Sequence, residues 1–465
     1  MNRARRVKLL AALGSLISFT FFSTQAFSSE NVGIGATTND TRRVPVPPHD
    51  YSNDPVVVLR GGTLILGTGS PPIENALLIS QGDRILYAGS SAGHEVPSAP
   101  HTTIDTSGLY ILPGLIDLHV HMTSQRGDDA GRYRDSDAAA AIRGTLLLRQ
   151  LGDAGITTIR DTGTRNDVAL RLKEAIERRL ISGPRILWSG QRIVIRSGHG
   201  DEIVGVGNGR PKSLEVGDRE RLANGPWEWR LAVREQIRQQ ADWIKITAPY
   251  TKEELEAGID EAHLHGIPVA VDSFGKFSRW AAEASIDSIE HPLDMDQETI
   301  EAMAKNGVGF VPTLTTFYNM MVEGYPSMSI PAGGFYHTMA RRFPISHEQH
   351  LHAVNAARVA GVRIGVGTDV PIQAEKRYPQ SYYTELELLK SAGLSDEEVL
   401  ASATRVGAEI LRMEDKLGTL ERGKLADILV VGANPLADIR RVQDVRLVIA
   451  GGKVIRNEIS LDAAD

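Results

Sequence analysis

Hydrophobic residues along the chain fall into two regimes. From Val56 onward, short β-type runs alternate with turn residues: Val56–Arg60, Thr63–Leu66, Ala76–Ile79 and Arg84–Ala88. The far end repeats this with Ile428–Val431, Leu447–Ile449 and, after Gly451-Gly452, Lys453–Ile455. Runs of this length bounded by glycine read as strands. Between the two ends the pattern changes. Eight apolar runs end near His121, Asp161, Gly190, Thr247, Asp272, His291, Thr313 and Asp369, each followed by a helical or helix-permitting stretch. Ala138–Asp153, Asp167–Ile181, Trp229–Gln240 and Lys252–His265 are among the helices expected. Ser346, with Gln349 three residues on, marks another helix start as a capping box. Eight βα repeats predict an α/β fold, a closed (β/α)8 TIM-like barrel over residues 111–415. The strand-rich ends, 55–110 and 416–458, predict one β-sandwich built from both termini.

The first residues fit neither regime. Arg3, Arg5, Arg6 and Lys8 precede an apolar stretch from Leu9 to Phe22, and small residues follow at Ser23, Thr24, Ala26 and Ser28. That order is a secretory signal over residues 1–28, cleaved near Ala26 or Ser28. The competing reading, an uncleaved anchor helix, suffers from the shortness of the apolar run. Residues 29–54, rich in Thr, Pro and Asn, read as a linker. The expectation is an exported protein, periplasmic or secreted, with no stable membrane insertion after cleavage.

Charge and cysteine usage narrow the chemistry. The formal charge of the 465-residue chain is −7, and removing residues 1–28 leaves 47 basic against 58 acidic residues, or −11. An acidic balance with no basic stripe argues against a nucleic-acid partner. With no cysteine, disulfides and thiolate zinc sites are excluded, so any metal must rest on histidine, carboxylate or a modified lysine.

The sharpest motif is Pro113-Gly114-Leu115-Ile116-Asp117-Leu118-His119-Val120-His121. Alternate side chains on a strand share a face, so His119 and His121 point the same way at a C-terminal strand end, where a barrel's active site opens. Two such imidazoles make half of a tetrahedral metal site; the bland alternative is a pair of surface histidines on an edge strand. Lys245 lies in the apolar run Trp243-Ile244-Lys245-Ile246, where a buried ammonium must find a carboxylate or lose its proton. A neutral amine there can take up CO2 to become a carbamate, an anionic ligand. His291 and Asp369 close two further strands. Each alone is more ordinary as a structural residue; their shared position at successive strand ends makes the case. His263-Leu264-His265 repeats the spacing on a helix, where residues two apart face different ways. His347, His350 and His352 read as a solvated helix face. His199, in the glycine-flanked loop after the third strand, and Tyr250, after the fourth, are candidates to touch substrate.

Together with Gly155-Ile156-Thr157-Thr158-Ile159-Arg160-Asp161, Gly367-Thr368-Asp369 and the tail from Gly418 to Ile428, these motifs make the chain resemble the amidohydrolase superfamily from about Val56 to Ile455. Within it the chain is most similar to the imidazolonepropionase-like and Xaa-Pro dipeptidase subgroup. The resemblance implies one or two divalent metal ions, zinc first among them, with His119, His121 and Asp369 as ligands of the more buried ion. Lys245, as a carbamate, would bridge to a second ion held also by His291 and a ligand on the fifth strand. Asp369 would serve as proton shuttle; the carbonyl oxygen would be polarised by the second metal or, from its loop position, by His199. The chain departs from the pattern at the fifth strand, with Asp272 where family members usually present histidine. A carboxylate can ligate zinc, so Asp272 either completes the second site or marks a single-metal or weakened centre. The resemblance implies hydrolysis of a C–N amide bond in a small substrate such as a dipeptide. Hydrolysis of a cyclic amide, lactone or ester is the second reading, and a non-catalytic exported binding protein with a degenerate site the third. The expected partners are a small-molecule or dipeptide substrate and, as an open alternative, further copies of the chain.

Overall fold

The computed structural model describes residues 54–98, 100–123, 136–196, 198, 220–323, 346–369 and 378–459. The expected signal segment, the linker up to residue 53, and His199 lie outside the described residues.

Six strands open the described chain: β1 (Val56–Arg60), β2 (Thr63–Leu64), β3 (Ala76–Gln81), β4 (Arg84–Ser90), β5 (His101–Asp105) and β6 (Tyr110–Pro113). Three close it: β16 (Ile428–Val431), β17 (Val445–Ala450) and β18 (Lys453–Asn457). One sheet has the order β4-β3-β1-β5 and the other β18-β17-β16-β6-β2. Both termini therefore meet in a single sheet, where β16 runs antiparallel to β6 with Ile428 opposite Pro113. Leu59, Leu78 and Ile104 from the first sheet share a core with Ile111, Ile428 and Leu447 from the second. Burying each such side chain contributes about 1.5–3 kcal/mol.

The middle of the chain is the barrel. Its strands are β7 (Leu115–Val120), β8 (Ile156–Asp161), β9 (Arg185–Trp188), β10 (Arg192–Val194), β11 (Glu220–Leu222), β12 (Ile244–Thr247), β13 (Val269–Asp272), β14 (Ser288–Glu290) and β15 (Gly309–Val311). Within it, β7-β8-β9 and β11-β10-β12-β13-β14-β15 are two runs of parallel neighbours. The Trp188 carbonyl, at the end of β9, accepts from Asp242 N at 2.7 Å and joins the runs. The segment 362–369 closes the circle. Phe310 N donates to Arg363 O at 2.8 Å on one side, and Asp369 N to His119 O at 2.7 Å on the other. The eight positions are thus β7, β8, β9, β12, β13, β14, β15 and 362–369, with β10 and β11 extending the third. Every residue of β12 and all but the last of β13 are buried, as expected of parallel strands covered on both faces.

Helices between the strands turn one apolar stripe inward, as Trp229, Ala232, Val233 and Ile237 do on Pro226–Arg238. The expected capping box forms at Ser346 and Gln349, starting the helix His347–Val359, and a second forms at Thr251 and Glu254. The helix expected to reach Ile181 stops at Glu177, and Arg179 beyond it adopts a left-handed backbone (φ 59°) that cannot continue an α-helix. Among the described residues no helix is long and apolar enough to cross a membrane. Parallel strands all end at the same mouth, which gathers their last residues into one place.

Candidate metal centre

Three side chains meet at that mouth. His119, His121 and Asp369 each present a ligand atom, all within 4.8 Å of one another. Asp369 Oδ1 lies 3.1 Å from His121 Nε2 and 3.5 Å from His119 Nε2. The other ring nitrogens are occupied by the protein. His119 Nδ1 contacts Glu290 Oε2 at 2.8 Å, and His121 Nδ1 contacts the Gly163 carbonyl at 3.0 Å. Both of those oxygens can only accept when Glu290 is ionised, so each Nδ1 carries the proton and each Nε2 lone pair faces the shared space. Burial, with the positive field of Lys245 and His291, holds the His119 imidazolium well below its ordinary pKa. A neutral imidazole is the form that ligates metal.

The supports of these ligands are themselves buried. Glu290 Oε1 accepts from Arg160 Nη2 and from Ser288 Oγ, each at 2.7 Å. The Arg160 guanidinium stacks 4.4 Å from the Trp243 ring centroid. Asp117, on the same strand face as His119, accepts from His119 N at 3.0 Å, Thr368 N at 3.1 Å and Thr368 Oγ1 at 2.8 Å, and also from the Tyr378 hydroxyl. It thereby ties the histidine strand to the residue before Asp369. Burial pushes Asp117 up to about 6 despite these bonds. For Asp369 the balance is reversed. Burial would raise it, but His121, His291 and Lys245 outweigh that and hold it below the usual carboxylate range.

A second group sits beside the first. The His291 ring centroid is 5.0 Å from that of His119. Its Nδ1 contacts Thr313 Oγ1 at 3.1 Å and its Nε2 lies 3.2 Å from Asp272 Oδ1. Burial would lower the His291 pKa, and Asp272 more than offsets this, so it is raised. Lys245 is 2% exposed and its Nζ has no hydrogen-bond partner among the described residues. Burial brings it down to about 8, against the pull of Glu290, Asp272 and Asp369. His291, Thr313 and Asp369 all have left-handed backbones (φ 38°, 50° and 56°), the kind of strain that clusters at working sites.

All six residues expected as ligands, His119, His121, Lys245, Asp272, His291 and Asp369, therefore belong to this mouth. Tyr250 is placed otherwise. It is 3% exposed, its ring packs against Trp229 and Phe277, and its hydroxyl donates to the Phe277 carbonyl at 2.9 Å. His263 and His265 pair with Asp287 and Glu261 on the helix side. The expectation of a solvated face at His347, His350 and His352 needs correcting at His350, which is fully buried against Phe317. It shares a helix face with the buried Ala353, Val354 and Ala357, a spacing visible in the sequence. Arg192 is buried in an ion pair with Glu220. Arg160, Glu290, Thr368 and Tyr378 had no assigned role. Charged residues inside apolar strand runs were the signal for the first two, since such groups survive only when paired.

Comparison with known proteins shows the family. The amidohydrolase family profile matches residues 110–455, and the chain belongs to that family: it is a hydrolase of the amidohydrolase type, in a family that binds divalent metal and acts on small molecules. It is 29% identical over 442 residues to ochratoxinase of Aspergillus niger, covering 86% of this chain and 87% of that one. It is 27% identical to imidazolonepropionase of Rhizorhabdus wittichii, covering 80% and 94%. Among solved structures it is similar to a Xaa-Pro dipeptidase with methionine bound in the active site, with a TM-score of 0.76, 28% identity, and coverage of 86% and 99%.

Proposed function

We propose that this protein is an exported, metal-dependent amidohydrolase that cleaves the C–N bond of a small amide, a dipeptide or a related N-acyl compound. The observation that carries the reading is the convergence of His119, His121 and Asp369 on one point at the C-terminal mouth of the barrel. Likeness to the Xaa-Pro dipeptidase structure supports the dipeptide, and the basic, apolar, small-residue order of residues 1–28 supports export.

The residues fit a divalent cation. Two imidazoles whose Nε2 atoms face one carboxylate are zinc-type donors. The unpartnered Nζ of Lys245 suits a lysine that becomes a carbamate and contributes oxygen donors. His291 and Asp272 would hold a second ion. A bound divalent cation supplies Lewis-acid polarisation and a water acidified toward neutral pH. Asp369 accepts the proton of the attacking water and delivers it to the departing nitrogen. Glu290 and the Gly163 carbonyl keep His119 and His121 in the ligating tautomer throughout.

Dipeptidase activity of the purified protein should appear with Xaa-Pro substrates in preference to lactones and aryl esters, and should vanish on chelation. Asp369→Asn should lose nearly all turnover. Full activity in that variant, with metal still bound, would refute the proposed proton shuttle.

A further inference from the structure

The two halves of the centre differ in donor chemistry. His119, His121 and Asp369 offer two imidazole nitrogens and one carboxylate. The adjoining group offers one imidazole, His291, and one carboxylate, Asp272, whose Oδ1 lies 3.2 Å from His291 Nε2. Lys245 completes it, buried and with no partner for its Nζ. An amine held this way is costly unless something absent from the protein itself satisfies it. The Thr313 hydroxyl beside Nδ1 turns the other nitrogen of His291 toward Asp272, so both donors aim at the same space. Carboxylate oxygens suit hard ions such as manganese and magnesium, whereas imidazole suits zinc. Zinc binds any one donor set more tightly than manganese, but its advantage shrinks as oxygen replaces nitrogen.

We infer that Asp272 makes the His291 side richer in oxygen than a histidine there would, so that it exchanges zinc for a hard divalent ion while the His119, His121 and Asp369 side keeps zinc. The protein then carries two unlike ions wherever manganese is in large excess. A carbamate on Lys245 would strengthen this preference by adding oxygen donors. The inference rests on the metal-hydrolase reading above, and its test separates the two.

The whole protein, stripped with a chelator, is equilibrated with zinc and rising manganese. Metals per chain are then counted by mass spectrometry, with bound manganese followed by electron paramagnetic resonance. One zinc ion should persist at every ratio. The second position should pass from zinc to manganese at a ratio at least about tenfold lower in the wild type than in Asp272→His, which restores a nitrogen donor. Asp272→Cys, which puts a soft thiolate in place of the oxygen, should likewise need more manganese, and it serves if the histidine variant fails to fold. Equal crossover ratios in wild type and variants, joint displacement of both zinc ions, or uptake of a single ion only would overturn the inference while leaving a metal hydrolase standing. A wild-type protein that binds no divalent ion at all would remove the metal-hydrolase reading itself.

Discussion

Changing Glu290 to glutamine tests whether the centre depends on the tautomer of His119. One carboxylate oxygen accepts from His119 Nδ1, and the other accepts from Arg160 and Ser288. The glutamine amide keeps the shape but has only one accepting end. Arg160 is fully buried and cationic, so it claims the carbonyl, and the amide NH2 is left facing His119. Nδ1 must then accept rather than donate, which moves the ring proton to Nε2, the nitrogen that faces Asp369. Breaking one side of a buried ion pair costs about 3–5 kcal/mol in stability. Loss of a group that orients a ligating histidine typically weakens metal affinity by about 10–100-fold. Competition against a chromogenic chelator measures the second quantity and thermal unfolding the first. Adding Arg160→Met to Glu290→Gln should recover much of the stability, because no unpaired cation remains, and with Arg160 gone the amide is free to turn its carbonyl back to His119. Metal affinity within about threefold of wild type in the single variant, when the typical loss is at least tenfold, would show that His119 is not oriented through Glu290.

Three further outcomes follow from the same geometry. Lys245, at about 8 in the folded protein against 10.5 for the free group, binds fewer protons when folded than when unfolded between those pH values. Its burial therefore destabilises the metal-free protein by about 3 kcal/mol below pH 8, a penalty that fades as pH rises toward 10.5. Metal-free Lys245→Met should accordingly unfold at a higher temperature than wild type at pH 7, with the gap closing across that window. Tyr378→Phe removes one hydrogen bond to the Asp117 carboxylate, worth about 1.5–3 kcal/mol; kcat should fall with KM and metal content unchanged, as steady-state assays and metal analysis would show. Gly367→Ala places a Cβ 2.9 Å from His119 Cβ and against Val311; about 1–3 kcal/mol of overpacking should appear in thermal unfolding, together with weakened metal binding.

Much of this architecture was legible because local and global signals agree. The strand-rich ends and the βα middle announce two kinds of sheet, and the capping box at Ser346 and Gln349 marks a helix start that tertiary packing leaves in place. The His119 and His121 pair was readable from alternation alone. The supporting network was harder to see. Asp117 shares that alternation, but its partners Thr368 and Tyr378 are some 250 residues away in sequence. Nothing local says that a threonine hydroxyl and a phenol will converge on it. Tyr250 shows the opposite failure: a loop position after a barrel strand suggests substrate contact, whereas its ring is drawn into the aromatic packing of Trp229 and Phe277.

The other half of the centre breaks the alternation rule, and the backbone explains how. Glu290 faces inward, bonded to His119 and Arg160, so strict alternation would send His291 outward. Its left-handed backbone, φ 38°, turns the ring back beside His119. The same occurs at the closing segment. Thr368 points its hydroxyl at Asp117, and Asp369, at φ 56°, brings its carboxylate into the same interior. A non-glycine residue in that region costs about 1–2 kcal/mol, so the hydrogen bonds of the network must hold each one there. Consecutive inward residues at two strand ends let the barrel place a supporting side chain and a ligand on adjacent positions. Four inward groups therefore come from two short strand ends, where alternation alone would supply two. That doubling assembles a compact polar centre inside an apolar barrel, and its cost in backbone strain confines it to the mouth.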